Sequence, residues 1–159
     1  MATVLFWQKP GCSTNARQIR ALEAAGHRVV AKNLLTELWT APNLITFFGD
    51  TPVRSWFNPA ARQVKSGAVD LTAINAIDAI ALLLEDPLLI RRPLIEAVNM
   101  KCAGFDWEPV LSLLGGSLRS ELQNCTLTEA LLPCTSAGHF CDGEGREASS
   151  QQAAPAQGR

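Results

Sequence analysis

The opening 33 residues switch between two hydrophobic periods, and that switch narrows the possible folds more than any other feature of the chain. Thr3 to Trp7 (Thr-Val-Leu-Phe-Trp) is an apolar run of strand length. Lys9-Pro10-Gly11 breaks it, because proline offers no N–H to a ladder and glycine permits a sharp turn. From Ser13 the period becomes helical. Ala16, Ile19, Leu22 and Ala25 recur every third residue, and Gly26 stands as terminator. His27 to Asn33, with its β-branched pair Val29-Val30, is a second strand. Strand, helix, strand at this spacing predicts a parallel βαβ unit, since parallel strands need a crossover of about a dozen residues.

The middle of the chain is helical in pattern. Thr40-Ala41-Pro42 has the form of an N-cap followed by proline in the first turn, ahead of Leu44, Ile45, Phe47 and Phe48. Gly49 to Pro52 is a break, Val53 to Phe57 a short helical turn, and Gly67 a further break. Asp70 or Thr72 is the expected cap of an apolar helix through Ile74, Ile77, Ile80, Ala81 and Leu84, which Asp86-Pro87 ends. Leu94 to Val98 and Met100 to Ala103 are predicted to pair as third and fourth strands. Phe105 to Leu114 is predicted to be a closing helix. The predicted order, βαβ, helices, then ββα, is an α/β thioredoxin-like plan with an inserted helical lobe. Gly143 to Arg159 holds no large apolar residue and is rich in Gly, Ser, Gln and Ala, so residues 143–159 are expected to form a disordered tail.

Composition removes several function classes. With 14 basic and 15 acidic residues the net charge is -1, which leaves no electrostatic footprint for nucleic acid or anionic lipid. The charge-free stretch around Ile80 is well short of the roughly 20 apolar residues of a membrane span. Met1 to Pro10 lacks the basic n-region and long apolar run of a secretory signal, so a cytoplasmic location is expected. No Gly-rich fingerprint follows the first strand, which argues against a dinucleotide or phosphate site.

In that compartment the five cysteines, Cys12, Cys102, Cys125, Cys134 and Cys141, are expected to be reduced. Cys12 lies between the first strand and the first helix. A thiol there faces the unpaired N–H groups and positive end of a helix, a location that favours the nucleophilic thiolate. Lys9 adds positive charge, and Ser13 and Thr14 add hydroxyls able to donate to sulfur. The residue three after Cys12 is Asn15, so the loop has no C-x-x-C and any redox cycle is monothiol or draws on a second thiol. Cys102 sits in an apolar stretch and is assigned to the core. Cys125, Cys134, His139 and Cys141 leave three readings open. Leu127, Leu131 and Leu132 dock the segment while its thiols stay idle, one thiol resolves a mixed disulfide on Cys12, or the set binds zinc or an iron–sulfur cluster. The spacing matches no compact knuckle, and no metal ligands are assigned.

Three ordered motifs resemble the arsenate-reductase-like (ArsC/Spx) family of the thioredoxin superfamily. Lys9 to Asn15 (Lys-Pro-Gly-Cys-Ser-Thr-Asn) is similar to that family's catalytic loop. Val53 to Asn58 falls where the family carries an arginine-bearing helical segment. Asp86 to Leu94 is similar to its Pro-x-Leu-Ile-x-Arg-Pro run, and Gly104-Phe105 to a Gly-Phe before the last helix. The resemblance spans about residues 2–115 and implies an ArsC-type domain over 1–116, followed by a cysteine-containing extension over 117–142. Phe47 to Asp50, Trp56 to Asn58, Val64 to Gly67 and Leu89 to Leu94 are further similar to the nitrogenase-associated subgroup, encoded with nitrogen-fixation genes.

The resemblance implies roles residue by residue. Cys12 is the nucleophile on an oxyanion or a disulfide sulfur. Arg92 and Arg54 stabilise the thiolate and hold an anionic substrate or a glutathione carboxylate. Ser13, Thr14, Asn15 and Pro93 contact substrate, with Arg91 an exposed neighbour. Two departures are evident: the stretch Lys101 to Gly104 lacks the third arginine of true arsenate reductases, leaving Lys101 as a point charge, and Trp7-Gln8 replaces a histidine-containing version.

The expected function is therefore a monothiol redox protein, acting through Cys12 in glutathione-linked thiol–disulfide exchange or in oxyanion reduction, with no bound cofactor and glutathione as co-substrate. The alternative is a non-catalytic adaptor that binds a protein of the nitrogen-fixation system or modulates its metal supply. In that case Trp39, Phe47, Phe48, Trp56 and Phe57 would supply the partner surface, the other reading being that they pack the helical lobe.

Overall fold

The computed structural model describes residues 1–116 and Leu122. Four strands, β1 (Thr3–Gln8), β2 (Arg28–Asn33), β3 (Leu94–Ala97) and β4 (Met100–Ala103), form one sheet in the order β2-β1-β3-β4. The pair β1/β2 is parallel, with Val4 opposite Val29, and α1 (Ser13–Ala24) is the crossover between them. The other pairs are antiparallel, with Phe6 opposite Ile95 and Ile95 opposite Cys102. The α/β fold expected from the opening residues and the late strand pair is the one observed.

Side chains alternate across β1 and thereby sort the core into two layers. Val4 and Phe6 point to one face and pack with Leu22, Ile95, Cys102, Phe105 and Val110. Trp7 points to the other, where Leu34, Leu94 and the helical lobe cover it. That lobe contains α2 (Ala41–Ile45), α3 (Arg62–Lys65) and α4 (Ala76–Glu85), with a 3-10 turn over Val53–Trp56. Its aromatics are internal. Trp7, Trp39 and Phe47 meet pairwise at centroid distances of 5.3–5.7 Å, and Phe48 stacks on Trp56 at 4.7 Å. Phe47, Phe48, Trp56 and Phe57 are buried and Trp39 is half-buried, which corrects their assignment to a partner surface: each completes the lobe core. Fully burying a side chain of this size is worth about 1.5–3 kcal/mol.

Local chemistry explains the element ends. Gly26, at φ 87°, closes α1 in a Schellman arrangement: its N–H donates to Glu23 O, and the His27 N–H donates to Leu22 O. The start of α4 differs from expectation. Asp70 Oδ1 instead accepts from the Thr72 N–H and hydroxyl in a separate turn. The cap is Asn75, whose Oδ1 accepts from the N–H groups of Ile77 and Asp78, both at 2.9 Å. The closing helix is also shorter than Phe105–Leu114. It is confined to α5 (Val110–Leu113), because Pro109 has no N–H and precedes a single turn. The cysteine-containing extension and the tail lie outside the described residues, apart from Leu122.

The β3–β4 hairpin turns on Val98 and Asn99, at φ 52° and 63°. Such two-residue turns demand left-handed backbone at both positions, where asparagine and glycine are at ease and a β-branched residue is strained. Val98 is exposed and has no core role to offset that strain. Val98→Asn is expected to raise stability by about 1 kcal/mol, read as a higher urea midpoint at unchanged m-value.

Candidate functional site

Cys12 is the N-cap residue of α1, with extended backbone, φ -83° and ψ 111°. The turn that delivers it is closed by its own N–H donating to Lys9 O at 3.2 Å, and its carbonyl accepts from the Ala16 N–H at 3.1 Å. Its side chain makes no capping hydrogen bond and is half-buried. The thiol borders a cavity of about 350 Å³.

The inward face of α1 is polar at this end. Thr14, Asn15 and Gln18 are buried, line the cavity and lead into Leu22, so the buried stripe is displaced from the expected one through Ala16 and Ala25. A helix buries polar side chains only where they find partners. Asn15 Oδ1 accepts from the Lys9 N–H at 3.3 Å, and Asn15 Nδ2 donates to Gln18 Oε1 at 2.8 Å. Gln18 Nε2 in turn donates to Leu122 O, so one amide chain runs from the Cys12 loop to the start of the extension.

The opposite wall comes from two segments that meet as β-structure. Phe57 and Ile90 form an antiparallel bridge, flanked by Asn58 N–H to Leu89 O at 2.7 Å and Arg91 N–H to Trp56 O at 2.8 Å. This pairing puts Asn58, Arg91 and Arg92 on the cavity that Cys12 borders. Arg92 also lines a second hollow of about 130 Å³ beside α3. Its Nη1 is buried with no hydrogen-bond partner among the described residues. An unpaired guanidinium nitrogen out of reach of water is costly.

Arg91 is half-buried rather than an exposed neighbour. Its Nη2 donates to both oxygens of Asp106, at 3.0 and 2.8 Å. The pair lies directly over Gly104, at φ 100°, where an added Cβ would come within 2.5 Å of Arg91 Nε and 2.7 Å of Asp106 Oδ1. The Gly104 N–H donates to Pro93 O at 2.7 Å, across from the Arg92–Pro93 peptide, which is cis.

Of the residues expected at the site, the cavity brings together Cys12, Thr14, Asn15 and Arg92. Ser13 and Arg54 are exposed, Pro93 is buried, and all three stand outside the lining. Lys101 is engaged elsewhere, 3.6 Å from Glu96 and over the Phe47 ring at 5.0 Å. Sequence reasoning did not find Gln18, Asn58, Lys65 or Asp106. The spacing of Asn15, Gln18 and Leu22 along one helical face was the available signal for the first. Among the described residues no group of three or more His, Cys, Asp or Glu side chains could hold a metal, and Cys125, Cys134, His139 and Cys141 lie outside them. No helix among the described residues is long and apolar enough to cross a membrane.

The second thiol contrasts with the first. Cys102 is buried in the sheet, where its Sγ contacts Gly104 O at 3.7 Å. Desolvation, aided by the negative charges of Asp106 and Glu108, pushes it from an ordinary 9.0 up to about 12. Because the unfolded thiol ionises first, stability contributed by this site is present below pH 9 and lost as pH rises towards 12. The loss is on the order of 4 kcal/mol across that window. Cys102→Ala is expected to flatten this alkaline fall in urea titrations, at a cost of about 1 kcal/mol near neutrality.

No protein-family model matches the chain. It is 48% identical over 115 residues to an uncharacterized 15.7 kDa protein in the draG 3′ region of Rhodospirillum rubrum, covering 72% of this chain and 80% of that one. It is 31% identical over 98 residues to the arsenate reductase ArsI2 of Synechocystis sp., covering 58% of this chain and 67% of that one. Among solved structures, an ArsC-family-related protein from Bacteroides fragilis aligns with a TM-score of 0.60 at 24% identity, covering 69% of this chain and 96% of that one. An arsenate reductase from Vibrio cholerae aligns at 0.57 and 20% identity, covering 72% and 97%. Both structural likenesses concern the fold.

Proposed function

Because the chain belongs to the arsenate-reductase-like (ArsC) family, we propose that it is a monothiol redox protein that uses Cys12 in glutathione-linked thiol–disulfide exchange. The observation that carries this reading is the meeting, on one cavity, of a half-buried thiol at a helix N-terminus with the side chain of Arg92. The Cys12 thiolate attacks one sulfur of a mixed disulfide between glutathione and a protein or small thiol. A Cys12–glutathione disulfide forms as the original S–S bond breaks, and the substrate leaves as a thiolate that takes a proton from water. A second glutathione thiolate then attacks the glutathione sulfur of the adduct, which releases Cys12 as thiolate and yields glutathione disulfide. The net exchange consumes one free glutathione thiol: the mixed disulfide contributes one half of the glutathione disulfide, the incoming thiol contributes the other, and the substrate is recovered as a thiol.

In this reading Arg92 holds a carboxylate of the glutathionyl group, and Asn15 and Gln18 fix the floor of the cavity. Oxyanion reduction through the same thiol is the second reading. It is favoured by the Arg92 side chain on the same cavity and by the arsenate reductases among the relatives. A reducing, cytoplasmic setting is part of the proposal and fits the free thiols of Cys12 and Cys102. So is a place beside nitrogen fixation, with a protein of that system as substrate. The Phe47–Asp50 and Trp56–Asn58 motifs support it, as does the relative in a draG 3′ region.

The test is transfer of glutathione from a glutathionylated peptide, followed by mass spectrometry of the protein and the rate of peptide release. Cys12→Ser is expected to lower the rate at least about 100-fold. Arg92→Gln is expected to raise KM for the peptide by about tenfold or more, with a smaller change in kcat. Undiminished transfer by Cys12→Ser would remove the proposal.

A further inference from the structure

The cavity bordered by Cys12 is not uniformly positive. Lys65, Arg91 and Arg92 bring three cations to it, but Asp106 brings a carboxylate to the same lining. Both Asp106 oxygens are taken by one nitrogen of Arg91, at 3.0 and 2.8 Å. Gly104 makes room for this arrangement, since a Cβ there would strike both Arg91 Nε and Asp106 Oδ1. The pair is therefore fitted to the backbone beneath it. Lys65 is exposed at the end of a one-turn helix, which leaves Arg92, half-buried on the same lining and with no ion-pair partner among the described residues, as the cation opposite the Arg91–Asp106 pair.

We propose that Asp106 determines the substrate class by neutralising Arg91, so that the cavity accepts a peptide thiol or disulfide carrying both a carboxylate and an ammonium group and rejects a tetrahedral oxyanion dianion. This rests on the assignment of Cys12 as the reacting thiol and chooses between the two kinds of substrate that assignment allows. A dianion placed between Arg91 and Arg92 would meet the Asp106 carboxylate, and like charges at such range repel. A zwitterionic group meets no such conflict. Its carboxylate satisfies Arg92, and its ammonium lies beside Asp106. Glutathione has both groups.

Inorganic phosphate is the probe, because it has the shape and charge of a tetrahedral oxyanion and does not react with thiols. Calorimetric titration of the reduced full-length protein is expected to show weak phosphate binding. Asp106→Asn keeps the shape of the side chain and removes its charge, and is expected to bind phosphate about tenfold more tightly. Asp106→Ser is read in the same way should the amide variant misfold. The gain is expected to disappear in the double variant Asp106→Asn, Arg91→Gln, because Arg91 is the group set free. Equal phosphate affinity in wild type and both single variants would overturn the proposal, and so would a gain that survives loss of Arg91. The titration does not involve sulfur chemistry. An inert Cys12 would thus fail in the transfer assay, whereas a wrong role for Asp106 would fail here.

Discussion

The backbone bridge between Phe57 and Ile90 is the strut on which the site depends. Its flanking bonds, Asn58 N–H to Leu89 O and Arg91 N–H to Trp56 O, tie the inserted lobe to the segment that enters β3. Together with the Arg91–Asp106 pair and the Gly104 N–H bond to Pro93 O, that tie fixes Asn58 and the two arginines relative to Cys12. The buried aromatics stabilise the contact but are not directional. The bridge is directional, and it converts hydrophobic packing into the placement of charged side chains. The lobe's aromatics thus position the site without touching it.

The other wall depends on a different economy. The first two turns of α1 give up apolar burial so that Thr14, Asn15 and Gln18 face the cavity. An amide chain from the Lys9 N–H through Asn15 and Gln18 to Leu122 O keeps two of these groups satisfied and holds the cysteine loop against the helix. The two thiols of the described chain show what such placement achieves. Cys102, within the sheet, is buried with its ionisation suppressed, whereas Cys12 sits at a helix start on an open cavity beside a guanidinium. Burial and neighbours, rather than residue type, set how exposed and how ionisable a thiol is.

Much of this arrangement could be read from local signals. The periods of Thr3–Trp7 and of the Ile19–Leu22 helix, together with Pro10, Gly11 and Gly26, marked the βαβ unit to within a residue or two. The motif around Arg92-Pro93 put an arginine near the cysteine, as the cavity does. What escaped depends on tertiary geometry. Asn75 outcompeted Asp70 as a cap because Thr72 had already engaged Asp70 in its own turn. Asp106 drew no notice because its meaning lies in Arg91, fifteen residues earlier, and in the missing Cβ of Gly104. Arg54 stood in the expected segment, yet the 3-10 turn presents it to solvent, and Lys65 from the next helix reaches the cavity instead.

The central claim is that, among the five cysteines of the chain, the thiol on the Arg92 cavity is the one that reacts. The most direct test exposes the reduced full-length protein to less than one equivalent of glutathione disulfide, quenches early, and maps the adduct by mass spectrometry. The account predicts that the first adduct forms on Cys12, with Cys102 unmodified in the folded protein. A first adduct on any other cysteine, with Cys12 left as a free thiol, would contradict it.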